Sequence, residues 1–136
     1  MNVPLTTLFA VSLSAHSFAG SVWVEAEAAR EKSIQDNGWY SNVKSEELSG
    51  GALLSHWGNR DGSAQYQIKV PEEGEYVLWL RANPVGTRLG LKIGDGEWAD
   101  LKFEGQSHEQ MNIAGDDKPD LRFVSWVRAG VQNLKA

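Results

Sequence analysis

The chain has 136 residues, 41% of them hydrophobic and 23% charged, which places it in the globular range with room for one domain and a core of ordinary size. Its formal net charge of −5, with acids spread along the chain, offers no basic patch for phosphates, so neither nucleic acid nor an anionic membrane is an expected partner. The absence of cysteine excludes disulfides, thiolate nucleophiles and cysteine-bound metals, and leaves oxygen or histidine to build any metal site.

Residues 1–19 read as a signal peptide. The run from Pro4 to Phe18 is apolar and small, carries no acid, and leads into Ser17-Phe18-Ala19, which resembles a small-x-Ala cleavage site. The n-region has no Lys or Arg, and the alternative is an apolar first strand or helix. The run is too short to span a bilayer, and without a cysteine after the cleavage point no bacterial-type lipid anchor is expected. The expectation is a secreted or periplasmic protein whose domain occupies residues 20–136.

From residue 22 onward, short alternating runs are separated by turn residues, and no segment holds a helical period over three turns. Residues 22–27 are predicted as the first strand, with Val22, Val24 and Ala26 on one face and Trp23, Glu25 and Glu27 on the other. Residues 28–44 lose periodicity around Asn37-Gly38-Trp39-Tyr40 and read as a long loop. A second strand is predicted over 52–57, closed by the turn formers Gly58 to Gly62. Tyr66, Ile68 and Val70, then Tyr76, Leu78 and Leu80 across Pro71-Glu72-Glu73-Gly74, predict two neighbouring strands. Leu89, Leu91 and Ile93 meet residues 98–103 through Gly94-Asp95-Gly96, a hairpin signal. Residues 104–120 read as a polar loop and 121–128 as a late strand. Residues 131–136 read as the approach to a further hairpin whose return strand is missing, so a fragment of a longer protein is expected. The fold class is all-β, a two-sheet β-sandwich or jelly roll lacking its C-terminal strand.

Several stretches resemble the β-jelly-roll carbohydrate-binding modules of the family 6 and family 35 kind and related accessory domains of polysaccharide-degrading enzymes. The matching residues are Val24-Glu25-Ala26-Glu27, Ser49-Gly50-Gly51, the run Gly62 to Pro71 with Gly74-Glu75-Tyr76-Val77-Leu78, and Trp126-Val127. Such modules end in a Gly-x-His-x-Leu type strand, and this chain stops where that strand would begin.

Glu25 and Glu27, two apart on a predicted strand, project from one face and repel unless a cation lies between them. The resemblance implies a structural calcium there, and the alternative is a solvated strand with two exposed acids. A sugar site needs flat apolar faces and planar polar groups. Trp39 and Tyr40 supply the first, on the loop that forms one cleft wall in the resembling modules, or else they anchor that loop. Phe123, three residues before Trp126, stands where the modules commonly place a second wall, and Arg81, Asn83 and Arg88 flank the loop that would close the floor. Trp23, Trp79 and Trp126 are expected in the core or between sheets, while Trp57 and Trp98 stand at strand ends and remain open to either role.

Catalysis finds little support, because His56 and His108 are far apart, Ser63 has no elbow motif, and His108-Glu109 has no second histidine at metal spacing. The expected function is non-catalytic binding of an oligo- or polysaccharide on behalf of an attached catalytic domain. The alternatives are a structural spacer packed against such a domain, with its aromatics in the interface, and a hydrolase using Glu25 or Glu27 with Asp61.

Overall fold

The computed structural model describes residues 20–136, so the predicted signal peptide lies outside the described residues. The chain is all-β, as its alternation predicts, with antiparallel sheets consistent with a β-sandwich, and among the described residues its ladders divide into three sheets. β1 (Glu31–Ser33) pairs with β2 (Ser63–Gln65), and β4 (Leu89–Leu91) with β5 (Ala99–Leu101). The largest sheet has the order β3 (Gly74–Ala82), β7 (Phe123–Leu134), β6 (Glu104–Asn112). Among the described residues no helix is long and apolar enough to cross a membrane.

β7 is the central strand and its sequence shows why. Ser125, Val127 and Ala129 are buried on one face, where they meet the half-buried Tyr76, Leu78, Leu80 and Ala82 of β3; Leu80 lies opposite Val127 and Ala82 opposite Ser125. The other face of the pair carries Val77 and Trp79 of β3 and Trp126 of β7. Val77 pairs with Val131 and Trp79 with Arg128, so β7 spends one extra residue in that interval. Gly130 supplies it at φ 109, a backbone region that a side chain would strain. Beyond the bulge the faces exchange, and Val131 comes up beside Val77 on the exposed side.

The hairpin of β4 and β5 forms as expected around residues 94–96, and β3 matches its alternation. Other expectations are corrected. Residues 22–25 are extended without a ladder partner and Ala26–Ala28 form a 3-10 turn, so Glu25 and Glu27 do not share a strand face. Residues 52–57 make no ladder. Residues 66–70 are likewise unpaired, and β3 runs beside β7 instead of beside them. The expected polar loop at 104–120 opens as strand β6, and residues 131–134, expected to start a new hairpin, continue β7 against the start of β3. Trp23 and Trp79, expected inside, are exposed, with Trp23 set edge-on against Trp126 at 5.6 Å between ring centroids.

The core lies under one end of the large sheet. Ile113 and Ala114, just past β6, are fully buried, and Val70, Val124, Val127 and Ala129 are buried with them. Ile113 is 1% exposed, and cutting it to alanine removes buried methyl groups and leaves a cavity. Ile113→Ala should cost about 2–5 kcal/mol in urea unfolding, whereas Val77→Ala on the exposed face should stay within about 0.5 kcal/mol. Equal effects would place the core elsewhere.

Candidate functional site

Three segments meet above that core: residues 37–44, the Asn83 turn after β3, and residues 113–122 before β7. Asn37 begins the first by accepting the Trp39 N–H on its side-chain oxygen at 3.0 Å, which caps the 3-10 turn Gly38–Ser41; the Ser41 hydroxyl closes it onto the Gly38 carbonyl at 2.6 Å. The end of this loop is tied down by the Lys44 N–H donating to the Ile113 carbonyl at 2.7 Å, by the Gly115 N–H donating to the Asn42 carbonyl at 3.1 Å, and by a Lys44–Asp117 ion pair. Trp39 therefore sits on a short rigid turn with no freedom to sink inward.

The third segment is strained. Asp117, Asp120 and Leu121 have φ of 61, 36 and 70, in the left-handed region that costs non-glycine residues about 1–3 kcal/mol each. The carbonyls of Asp120 and Leu121 are clasped from outside: Trp39 Nε1 donates to Asp120 at 3.0 Å and the Asn83 amide donates to Leu121. Asn83 also accepts the Val85 N–H at 2.9 Å, which fixes its own turn. Two residues picked out for sugar recognition thus hold the same turn.

Arg122 completes the arrangement and was not foreseen. Its residue is 4% exposed, and its guanidinium carbon lies 4.8 Å from the centre of the Trp39 ring, over one face. The same guanidinium reaches both oxygens of Asp116, at 2.9 and 3.1 Å, and the Lys118 carbonyl at 2.8 Å, while its Nε is buried without a partner. Desolvation pushes the Asp116 carboxyl up, but hydrogen bonds from Arg122 and from the Lys118 N–H, with the charge of Arg122, outweigh it and hold the group below the usual carboxylate value. Trp39 remains 49% exposed with one face under the cation, so its other face and outer edge are what solvent meets.

The remaining candidates are distributed. Tyr40, half-buried, follows Trp39 in the same turn, and Phe123, half-buried, opens β7 directly after Arg122. Arg81 turns to the large sheet, where it lies 5.5 Å over the Trp126 ring and contacts Met111 sulfur. Arg88 is exposed ahead of β4. Trp39 and Asn83 therefore meet at the 119–122 turn, Tyr40 and Phe123 adjoin it in the chain, and Arg81 and Arg88 lie apart from it.

Glu25 and Glu27 come together by a different route from a shared strand. Both carboxylates approach Gly50: Glu27 Oε1 occupies the space that a side chain there would fill, and Glu25 Cδ lies 3.6 Å from the same point. Glu25 also accepts the Trp23 indole N–H at 2.6 Å and the Ser49 hydroxyl at 2.8 Å. Burial and the negative charge of Glu27 raise the nearby Tyr66 phenol above its ordinary value. The oxygens fit part of a hard-cation shell; among the described residues no third acid or histidine joins them.

Comparison with protein-family models, with curated proteins and with solved structures finds no match.

Because the folded pKa of Asp116 lies below its unfolded value near 4, the stability it confers is present above about pH 4 and is lost as pH falls through the lowered folded value. Asp116→Asn should therefore lower stability at neutral pH and flatten the acid limb of a urea-midpoint profile. An unchanged acid limb in the variant would show that the pair contributes nothing to folding.

Proposed function

We propose that the chain is a non-catalytic, secreted or periplasmic carbohydrate-binding domain, of jelly-roll type, that holds an attached catalytic domain near a polysaccharide. One observation supports this above the others: the Trp39 ring is half-exposed on a rigid turn, with one face under Arg122 and its indole N–H already engaged. A ring fixed in that way loses no further rotamer freedom when a pyranose stacks on its open face, and the cation beneath does not compete for that face. Tyr40 follows it in the same 3-10 turn, Phe123 follows Arg122 in the chain, and the Asn83 amide donates to the Leu121 carbonyl of the turn below.

The attached-domain spacer has its own support. Val77, Trp79 and Val131 make an exposed apolar strip on the outer face of β3 and β7, where a packed neighbour would cover them. That reading predicts no retardation by any polysaccharide.

Affinity electrophoresis of the whole chain through gels containing xylan, alginate, polygalacturonate or mixed-linkage β-glucan tests the two. Retardation by at least one polymer is expected, reduced about tenfold or more in affinity by Trp39→Ala with Tyr40→Ala. Undiminished retardation in that double variant would remove the Trp39 turn from the site.

Glu25 and Glu27, with Ser49 beside them, are proposed to hold a calcium ion that supplies charge neutralisation and ties the 22–28 segment to the Ser49–Gly50 turn. Calcium at a hundredfold excess over its dissociation constant should stabilise the chain by about 2.7 kcal/mol. That stabilisation should vanish in Glu27→Gln; a urea midpoint indifferent to calcium would exclude metal at this pair.

A further inference from the structure

Residues 34–37 and 56–62, at the end of the β1–β2 pair, form a second rigid loop cluster that the Trp39 site does not use. The Gln35 N–H donates to His56 Nδ1 at 2.9 Å, which makes Nδ1 the acceptor and leaves the proton on Nε2 to reach the Arg60 carbonyl at 2.8 Å. The Trp57 N–H in turn donates to the Gln35 carbonyl at 3.0 Å. Gly62 is required here, because the hydrogen-bonded His56 ring fills the space beside it at 2.7 Å, and the Gln35 side chain lies over Gly58. His56, weighed and set aside as a catalytic group, is a fixed strut.

The strut holds Trp57 out. Its ring is 63% exposed, although its backbone is pinned, and beside it Gln35, Gly58, Asn59 and Arg60 line an open groove of about 470 Å³. An unburied indole next to two amides and a guanidinium has the composition that stacks on a sugar face and hydrogen-bonds its hydroxyls. Trp57 is bonded through its backbone to Gln35, which lies four residues before Trp39, so the backbones that carry the two rings are within about 20 Å of each other.

We propose that the Trp57 groove is a second saccharide subsite, in which a pyranose of the same glycan chain that stacks on Trp39 stacks on Trp57 and hydrogen-bonds to Gln35, Asn59 and Arg60. This rests on the carbohydrate-binding reading above and narrows it: the ligand is the interior of an extended oligosaccharide, not a single terminal sugar. Binding then strengthens with oligomer length until both rings are spanned.

The test is titration calorimetry of the whole chain with length series of xylo-oligosaccharides, alginate oligosaccharides and oligogalacturonides. The series that binds wild type should gain affinity with length. Trp57→Ala should leave the shortest binding oligomer unchanged and lose about tenfold on the longest, Trp57→Phe should keep most of that gain, and Trp39→Ala should weaken every length. Trp57→Ala matching wild type at all lengths overturns the subsite while leaving the carbohydrate-binding reading intact. Equal losses at all lengths would fold Trp57 into the primary site and overturn it too. Failure of every oligomer to bind wild type defeats both readings. Trp57 lies at the surface, so thermal unfolding of the two Trp57 variants should match wild type and separate lost contact from lost fold.

Discussion

A guanidinium withdrawn from water between an indole face and a carboxylate sets the geometry of the upper end of this molecule. Arg122 immediately precedes the central strand, and burying it demands compensation from the surrounding residues. Asp116 supplies the countercharge, Lys118 a carbonyl and Trp39 a π face. The backbone that brings these groups together is bent through left-handed Asp117, Asp120 and Leu121. That bend persists because Trp39 and Asn83 hold its carbonyls, so the exposed Trp39 ring is also one of the groups that keep the turn in shape.

Strain, buried charge and exposed aromatic are thus one feature seen from three sides. The fully buried Ile113 and Ala114 lie immediately before this turn, and the Ile113 N–H donates to the Arg122 carbonyl at 3.0 Å, which closes the loop onto the core. Loss of the ion pair would be felt both as lost stability and as a ring free to reorient.

What the sequence revealed follows from where period two survives. β3 and the hairpin of β4 and β5 are legible because their residues alternate without interruption. β6 is not: Glu104 pairs with Arg128, His108 with Trp126 and Met111 with Val124, so β6 uses seven steps where β7 uses four, and Gly105 and Glu109 take positive φ. Those bulges scramble its pattern, and its polar composition suits an edge strand that must not recruit another chain. Residues 22–27 alternate yet form no ladder, since alternation records which side a residue faces and not whether a partner strand exists. At the site, Trp39 and Asn83 stood out as an aromatic and an amide in turn-rich segments, whereas Arg122 looked like an ordinary start to an apolar strand. Its signal was Asp116 six residues earlier, but only a folded turn makes that spacing a contact.

The bulge at Gly130 has an evolutionary reading. Upstream of it the odd-numbered residues Ser125, Val127 and Ala129 face inward; downstream the even-numbered Gln132 and Leu134 do, because the extra residue resets the phase of the strand. Removing that single codon would carry the last four residues of β7 out of phase, turning Leu134 to solvent and Val131 inward. A substitution in the strand changes one side chain, but here a length change of one residue rewrites a whole surface, so the spacing from Ala129 to Val131 constrains the chain as much as the identity of the residue between them.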